Sequence, residues 1–248
     1  MRSLYSWVAS VSLCLRGGSV DGGSLLKVGL TGGIASGKSV VGEMLVALGA
    51  RLVQADRIAH QLMRPGEAVY NEVVRHFGGA ILNPDGSVNR ARLAELAFGP
   101  TNPAAQEKPT AALSVIPPRV EELNRIVHPA VIRSQEEWMA EMGRQDPHGI
   151  AIVEAALIIE AGAAKRFDRL IVVTCTEEQR VARFAARQKL DADAARKEIE
   201  RRMAAQLAEA EKIKVADFVI DNSGSLDQTR EQVQQVWQKL GVAAMDKQ

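Results

Sequence analysis

The chain has 248 residues, 46% of them apolar and 25% charged, and its 31 basic and 30 acidic side chains leave a net charge of +1. This is the balance of a soluble globular protein with a full core, long enough for one ordinary domain carrying small insertions. Nothing in it suggests a polyanion-binding surface, so no nucleic-acid partner is expected. The two cysteines, Cys14 and Cys175, are too few for a disulfide framework and point to a reducing, cytoplasmic setting.

Residues 1–24 stand apart in composition. Residues 4–15 are apolar and serine-rich, and residues 17–24 are glycine-rich. The apolar part is too short to span a bilayer, so no membrane contact is expected. Only Arg2 precedes it and no small-x-small cleavage site follows, which argues against a signal peptide. We read these residues as a disordered leader or a start assigned too far upstream, and residues 25–248 as the globular domain.

Residues 25–30 are a short apolar run ending at a glycine turn, the pattern of a buried strand. Then comes Gly32-Gly33-Ile34-Ala35-Ser36-Gly37-Lys38-Ser39, a full match to G-x-x-x-x-G-K-[ST]. After it Val40, Val41, Met44, Leu45 and Leu48 recur at helical spacing before Gly49. Strand, glycine-rich loop and helix in this order make a phosphate cradle. Glycine lets successive N–H groups turn inward, and the helix N-terminus adds positive dipole charge. Gly32 through Val40 are therefore the expected ATP-binding residues, with Lys38 reaching the β- and γ-phosphates and the Ser39 hydroxyl ligating Mg²⁺.

Residues 51–53 begin a second strand, and Asp56 lies at its carboxyl end, where open α/β sheets face their ligands. Position alone leaves Asp56 two roles: a carboxylate that takes or orients the proton of an attacking hydroxyl, or the N-cap of a helix over residues 57–63. Val69, Val73, Val74 and Phe77 mark an amphipathic helix closed by Gly78 and Gly79, and residues 83–86 spell a turn. Residues 99–118 hold five of the nine prolines and predict a loop without chemistry of its own.

A long helix is expected over residues 119–143, bent or interrupted at Pro129. Residues 150–153 and 170–174 are β-branched runs suited to buried parallel strands. Glu154 ends the first of these, where it could hold Mg²⁺ through water or serve structure alone, and Glu160 carries the same two readings. Helices are expected over residues 177–188 and 193–214, a strand over 218–220 and a closing helix over 226–240. Short strands alternating with helices predict a three-layer α/β/α sandwich on a parallel sheet.

Residues 180–202 hold eight Lys or Arg against four Asp or Glu, with Arg180, Arg183 and Arg187 on one helical face. Arg183 and Arg187 are read as phosphate-facing groups of a lid, which would exclude water and neutralise charge. Arg180 and the other cations are read as a solvated face paired with acidic neighbours. His128, taken alone, reads as a packed or capping residue rather than a catalyst.

Together these segments resemble the dephospho-CoA kinase family, from about residue 27 to residue 240. The match runs in order through VGLTGGIASGKSVV, LGARLVQADRIAHQLMRPGEAVY, FGGAILNPDGSVNRARLAELAF, LNRIVHPAVI, VEAALIIEAG and KVADFVIDNSGSL. The resemblance implies a P-loop kinase that moves the γ-phosphate of ATP to the ribose 3′-hydroxyl of dephospho-CoA. It implies Asp56 as base, Arg90 and His128 as further substrate-binding residues, and catalytic parts for Lys38, Arg183 and Arg187. It also implies a helical acceptor-binding subdomain over about residues 55–132 and a lid over about 177–214, in a monomer or small homo-oligomer.

The sequence departs from the family pattern in places. Gln54 stands where Asp is frequent, Val40 where Thr is frequent, Glu154 where Asp is frequent and Ala156 where Pro is frequent, and residues 99–118 are longer than usual. Rival readings are another small-molecule P-loop kinase, acting on a nucleoside monophosphate, shikimate or gluconate, and a nucleotide-binding regulatory module.

Overall fold

A computed structural model describes residues 25–98, 119–203 and 206–247. The segments 1–24 and 99–118, read above as a leader and a loop, lie outside the described residues. Three strands, β1 (Leu26–Gly32), β3 (Ile150–Glu154) and β4 (Arg169–Thr174), are buried nearly end to end. Both their faces are covered, which is why they read as continuous apolar runs. The edge strands β2 (Arg51–Gln54) and β5 (Phe218–Asp221) have only four residues each. All pairings are parallel, in the order β2-β3-β1-β4-β5. β1 is central, with β3 on one side and β4 on the other. Chain segments therefore leave the sheet in opposite directions at the carboxyl end of β1, and a crevice opens there.

Successive strand residues face opposite layers. Leu26, Val28 and Leu30 of β1 and Ile150 and Ile152 of β3 pack with Val41 and Leu45 of α1 (Lys38–Ala47) and with Val233, Val236 and Leu240 of α9 (Leu226–Met245). Ala151 and Val153 turn the other way, to Met139 of α5 (Val120–Gln145). Each fully buried aliphatic side chain of these layers contributes about 1.5–3 kcal/mol, so the sheet is the stable platform of the molecule.

A second core lies off the sheet. Ile58 of α2 (Ala55–Leu62), Val69, Val73 and Phe77 of α3 (Ala68–Phe77), Leu93 of α4 (Arg90–Phe98) and Val127 and Val131 of α5 bury one another. At 26 residues, or about 39 Å, α5 is long enough to serve both cores, Val131 in one and Met139 in the other. Pro129 does not interrupt it; the helix runs through, forgoing one backbone hydrogen bond that packing on both sides offsets.

α6 (Glu177–Gln188) starts at a capping box of Thr176 and Gln179. It packs Val181 and Phe184 against Ala195 and Ile199 of α7 (Ala192–Met203), with Ile34 and Ala35 of the glycine-rich loop at the same contact. The single helix expected over residues 193–214 is two: α7 ends at Met203 and α8 runs over Glu209–Lys214. Residues 203–208 are all good helix formers, so local propensity favours continuation. Tertiary packing overrides it, because the turn brings α8 against β4 and buries Lys212. Among the described residues no helix is long and apolar enough to cross a membrane.

Candidate active site

The glycine-rich loop is held rigidly from behind. Gly37, the N-cap of α1, has φ 96°, and a Cβ there would lie 2.0 Å from the Asn222 side-chain nitrogen. Only glycine meets both demands. Asn222, 3% exposed, donates to the Ser36 carbonyl at 2.9 Å, accepts from the Thr229 hydroxyl at 3.1 Å and donates its backbone N–H to Thr174. Arg183 joins this wall, donating to the carbonyls of Asn222 at 3.0 Å and Ser36 at 3.4 Å. The Ser36 carbonyl is thus occupied from the rear.

Lys38 folds across its own loop, donating to the carbonyls of Gly33 at 2.8 Å and Gly32 at 3.0 Å. Burial lowers its pKa to about 8, against the pull of Glu154. Desolvation outweighs attraction here because both tethers are neutral carbonyls.

Ser39 donates its hydroxyl to Glu154 at 2.9 Å, and the Gln54 amide donates to the other Glu154 oxygen at 2.8 Å. Glu154 is 8% exposed, and among the described residues its hydrogen-bond donors are neutral. A nearly buried carboxylate beside a hydroxyl, without a cation in hydrogen-bond contact, suits a hard divalent ion. Among the described residues no cluster of three His, Cys, Asp or Glu exists. An ion here would take most of its ligands from phosphate and water, the usual manner of Mg²⁺.

These groups line one cleft of about 540 Å³, together with Asp56, Arg183, Arg187, Arg202 and Gln206. Asp56 sits in the first turn of α2 and does not cap it; the N-cap is Gln54, without a side-chain capping bond. The capping role for Asp56 is therefore excluded, and its carboxylate is exposed to the cleft.

The expected solvated role of Arg180 is also overturned. Arg180 is 4% exposed, pairs with Glu209 at 2.6 Å and lies over the loop, where a Cβ on Gly33 would come within 2.5 Å of its guanidinium. Glu160 lies off the cleft in a buried ion pair with Lys212 at 2.7 Å.

Arg90 and His128 are exposed and do not line this cleft. His128 is on the surface of α5, while Arg90 starts α4 near His60. His60 lies one turn beyond Asp56 on α2; burial and the Arg90 cation lower its pKa, against the pull of Asp56. Sequence reasoning did not single out His60, Arg202 or Gln206. The i,i+4 spacing of Asp56 and His60 was a signal that could have found the first. Arg202 comes from α7, pairs with Glu198 at 2.6 Å and, like Arg187, lies over the Phe184 ring, at 5.4 Å and 5.6 Å. One aromatic ring thus contacts two guanidiniums that also line the cleft.

Comparison with known proteins gives one consistent family. Residues 26–228 match the family described as dephospho-CoA kinase. The chain is 38% identical over 213 residues to the dephospho-CoA kinase of Corynebacterium jeikeium, covering 86% of this chain and 98% of that protein. It is 39% identical over 209 residues to that of Syntrophotalea carbinolica, covering 84% and 89%. Among solved structures it is similar to TT1252 from Thermus thermophilus, with 30% identity, a TM-score of 0.67 and coverage of 88% and 98%. The dephospho-CoA kinase of Campylobacter jejuni shares the fold at 23% identity, with a TM-score of 0.52 and coverage of 86% and 96%.

Proposed function

The chain belongs to the dephospho-CoA kinase family, and from that premise we propose that it transfers the γ-phosphate of ATP to the ribose 3′-hydroxyl of dephospho-CoA, giving CoA and ADP. The observation that carries the reading is convergence: Lys38, Asp56, Arg183, Arg187 and Arg202 meet on one cleft at the mouth of a full phosphate loop.

ATP enters with its phosphates along the loop N–H groups at the start of α1. Lys38 exchanges the carbonyls of Gly32 and Gly33 for β- and γ-phosphate oxygens, a move of one flexible side chain. Asp56 accepts the hydrogen bond of the 3′-hydroxyl, aims its oxygen at the γ-phosphorus and takes its proton as the new O–P bond forms and the bond from the γ-phosphorus to the bridging oxygen of ADP breaks. Exposure to the cleft lets Asp56 return that proton to solvent.

Helices α6 and α7 act as the lid. They bring Arg183, Arg187 and Arg202 onto the phosphates, exclude water and offset charge on the transferring group. Ser39 would ligate Mg²⁺ directly and Glu154 would hold it through water, with Gln54 fixing the Glu154 carboxylate. Held there, Mg²⁺ would supply positive charge to offset that of the phosphates. Dephospho-CoA lies toward α2 and α4, where Arg90 and His60 face the acceptor side, and His128 belongs to its outer reach. The reaction belongs in the cytoplasm, carried out by a monomer or a small homo-oligomer.

ADP release is the test, with ATP, Mg²⁺ and, in turn, dephospho-CoA, adenosine, AMP, shikimate and gluconate. Release with dephospho-CoA alone, with an equal amount of CoA formed, is expected. Release with another acceptor, or with none while ATP still binds, would overturn the reading.

A further inference from the structure

The buried pair of Lys212 and Glu160 takes no part in the chemistry above, yet it ends at the cleft. Lys212 is 1% exposed, far more buried than lysine usually is. Its ammonium pairs with Glu160 at 2.7 Å and donates to the Gln206 side-chain oxygen at 3.1 Å. Glu160 also accepts the backbone N–H of Leu207 at 3.2 Å, which pins the segment between α7 and α8 that carries Gln206. Desolvating two charges is costly, and apolar residues of similar volume would serve packing as well. The pair therefore calls for a reason beyond stability.

An ammonium has donors only, so Gln206 can meet Lys212 only with its carbonyl oxygen. This fixes the amide flip. The NH₂ group is left on the other side of the side chain, and Gln206 lines the cleft beside Arg202. Among the described residues that NH₂ makes no hydrogen bond to protein. Gln206 and Lys38 line the same cleft, and the positive charge of Lys212 is near enough to act on Lys38.

Resting on the kinase reading above, we propose that Gln206 donates a hydrogen bond to the phosphoryl group being transferred, and that Lys212 and Glu160 are positioning residues that fix its orientation. A neutral donor held in advance stabilises charge developing on phosphoryl oxygens without reorganisation during transfer. It serves beside the arginines because it adds a directed bond without further like-charge repulsion.

The test compares ADP with a non-hydrolysable β,γ-imido ATP analogue by calorimetry, in the wild type, in Gln206→Leu and in the double variant Glu160→Met/Lys212→Met. The double variant removes the charges together and leaves none orphaned. In Gln206→Leu the analogue should bind about tenfold more weakly, with ADP unchanged within about twofold and kcat down by about 10²-fold. The double variant should show the same selective loss, with partial recovery of kcat in neither case by added ATP. Equal losses for ADP and analogue would assign Gln206 a structural role and overturn the proposal, as would affinities and kcat within about twofold of wild type. A wild-type protein that binds both nucleotides but does not phosphorylate dephospho-CoA would overturn the kinase reading instead, and the binding comparison would still decide the role of Gln206.

Discussion

The phosphate loop and the arginine-bearing helices face each other across one cleft, but they are held by different forces. Behind the loop, Asn222 and Thr229 form buried hydrogen bonds, and β1 and β4 beneath are nearly inaccessible to water. On the opposite wall, Arg202 is held by Glu198, with its side chain 47% exposed. Exposed pairs of that kind contribute about 0–1 kcal/mol each, against about 1.5–3 kcal/mol for each buried aliphatic residue under the loop. The phosphate site is therefore built before the ligand arrives, while the wall that completes it can exchange carboxylate partners for phosphates at little cost. Arg180 and Arg183 are exceptions on that wall: Arg180 is buried with Glu209 over Gly33, Arg183 donates to the carbonyls of Ser36 and Asn222, and both anchor α6 to the rigid side.

The comparison breaks most visibly at Lys38. Lys38→Ala should lower kcat by about 10³-fold or more, since it removes the cation proposed to meet the β- and γ-phosphates. It should not lower Tm, because burial already disfavours the lysine charge in the folded state. Steady-state rates and thermal melts on the same preparation check both halves; a large fall in Tm would mean that Lys38 is part of the scaffold.

On the opposite wall the effect should be smaller. Arg202→Ala should lower kcat by about 10- to 100-fold with little change in Tm. Glu198, whose carboxyl is held at about 2 first by its bond to Arg201 and also by Arg202, keeps Arg201 as a partner in that variant. Arg201→Ala is the control, removing an exposed pair of the same helix while leaving kcat unchanged. Equal losses in the two variants would mean that the arginines act on helix structure rather than on phosphate.

The smallest effect is one of pH. In the free protein the Lys38 pKa is lowered to about 8 by burial, and bound phosphates should raise it. Above pH 8 ATP binding must then take up a proton, so affinity should fall as pH rises, by up to about tenfold per unit. Well below pH 8 the lysine is charged in both states and contributes no such slope. Calorimetry near pH 9 in buffers of different ionisation enthalpy should show uptake of up to one proton, absent in Lys38→Ala.

The same division explains what could be read from the chain alone. The loop is legible because its requirements fall on eight consecutive residues between a strand and a helix, and Gly37 and Lys38 have no substitutes there. The buried strands are legible because two covered faces impose unbroken apolar runs. The opposite wall is not, because its meaning depends on distant partners. Nothing near Arg180 announces that Glu209 will bury it, and nothing near Lys212 announces that Glu160 will hold it beside Gln206. The break before α8 is hidden for the same reason, since the helix-favouring residues 206–208 yield to the packing of α8 on β4. Asp56 falls between the two cases: its position after β2 suggested two roles, and one helical turn of structure removed the cap.

The most direct measurement is single-turnover phosphorylation of dephospho-CoA by the wild type and by Asp56→Asn, with ATP affinity determined on the same samples. The account predicts one CoA per ADP from the wild type. In Asp56→Asn it predicts ATP affinity within a few-fold of wild type and a transfer rate lower by about 10²-fold or more. Transfer by Asp56→Asn within a few-fold of the wild-type rate would contradict it, because the cleft would then be working without the carboxylate that is meant to receive the hydroxyl proton.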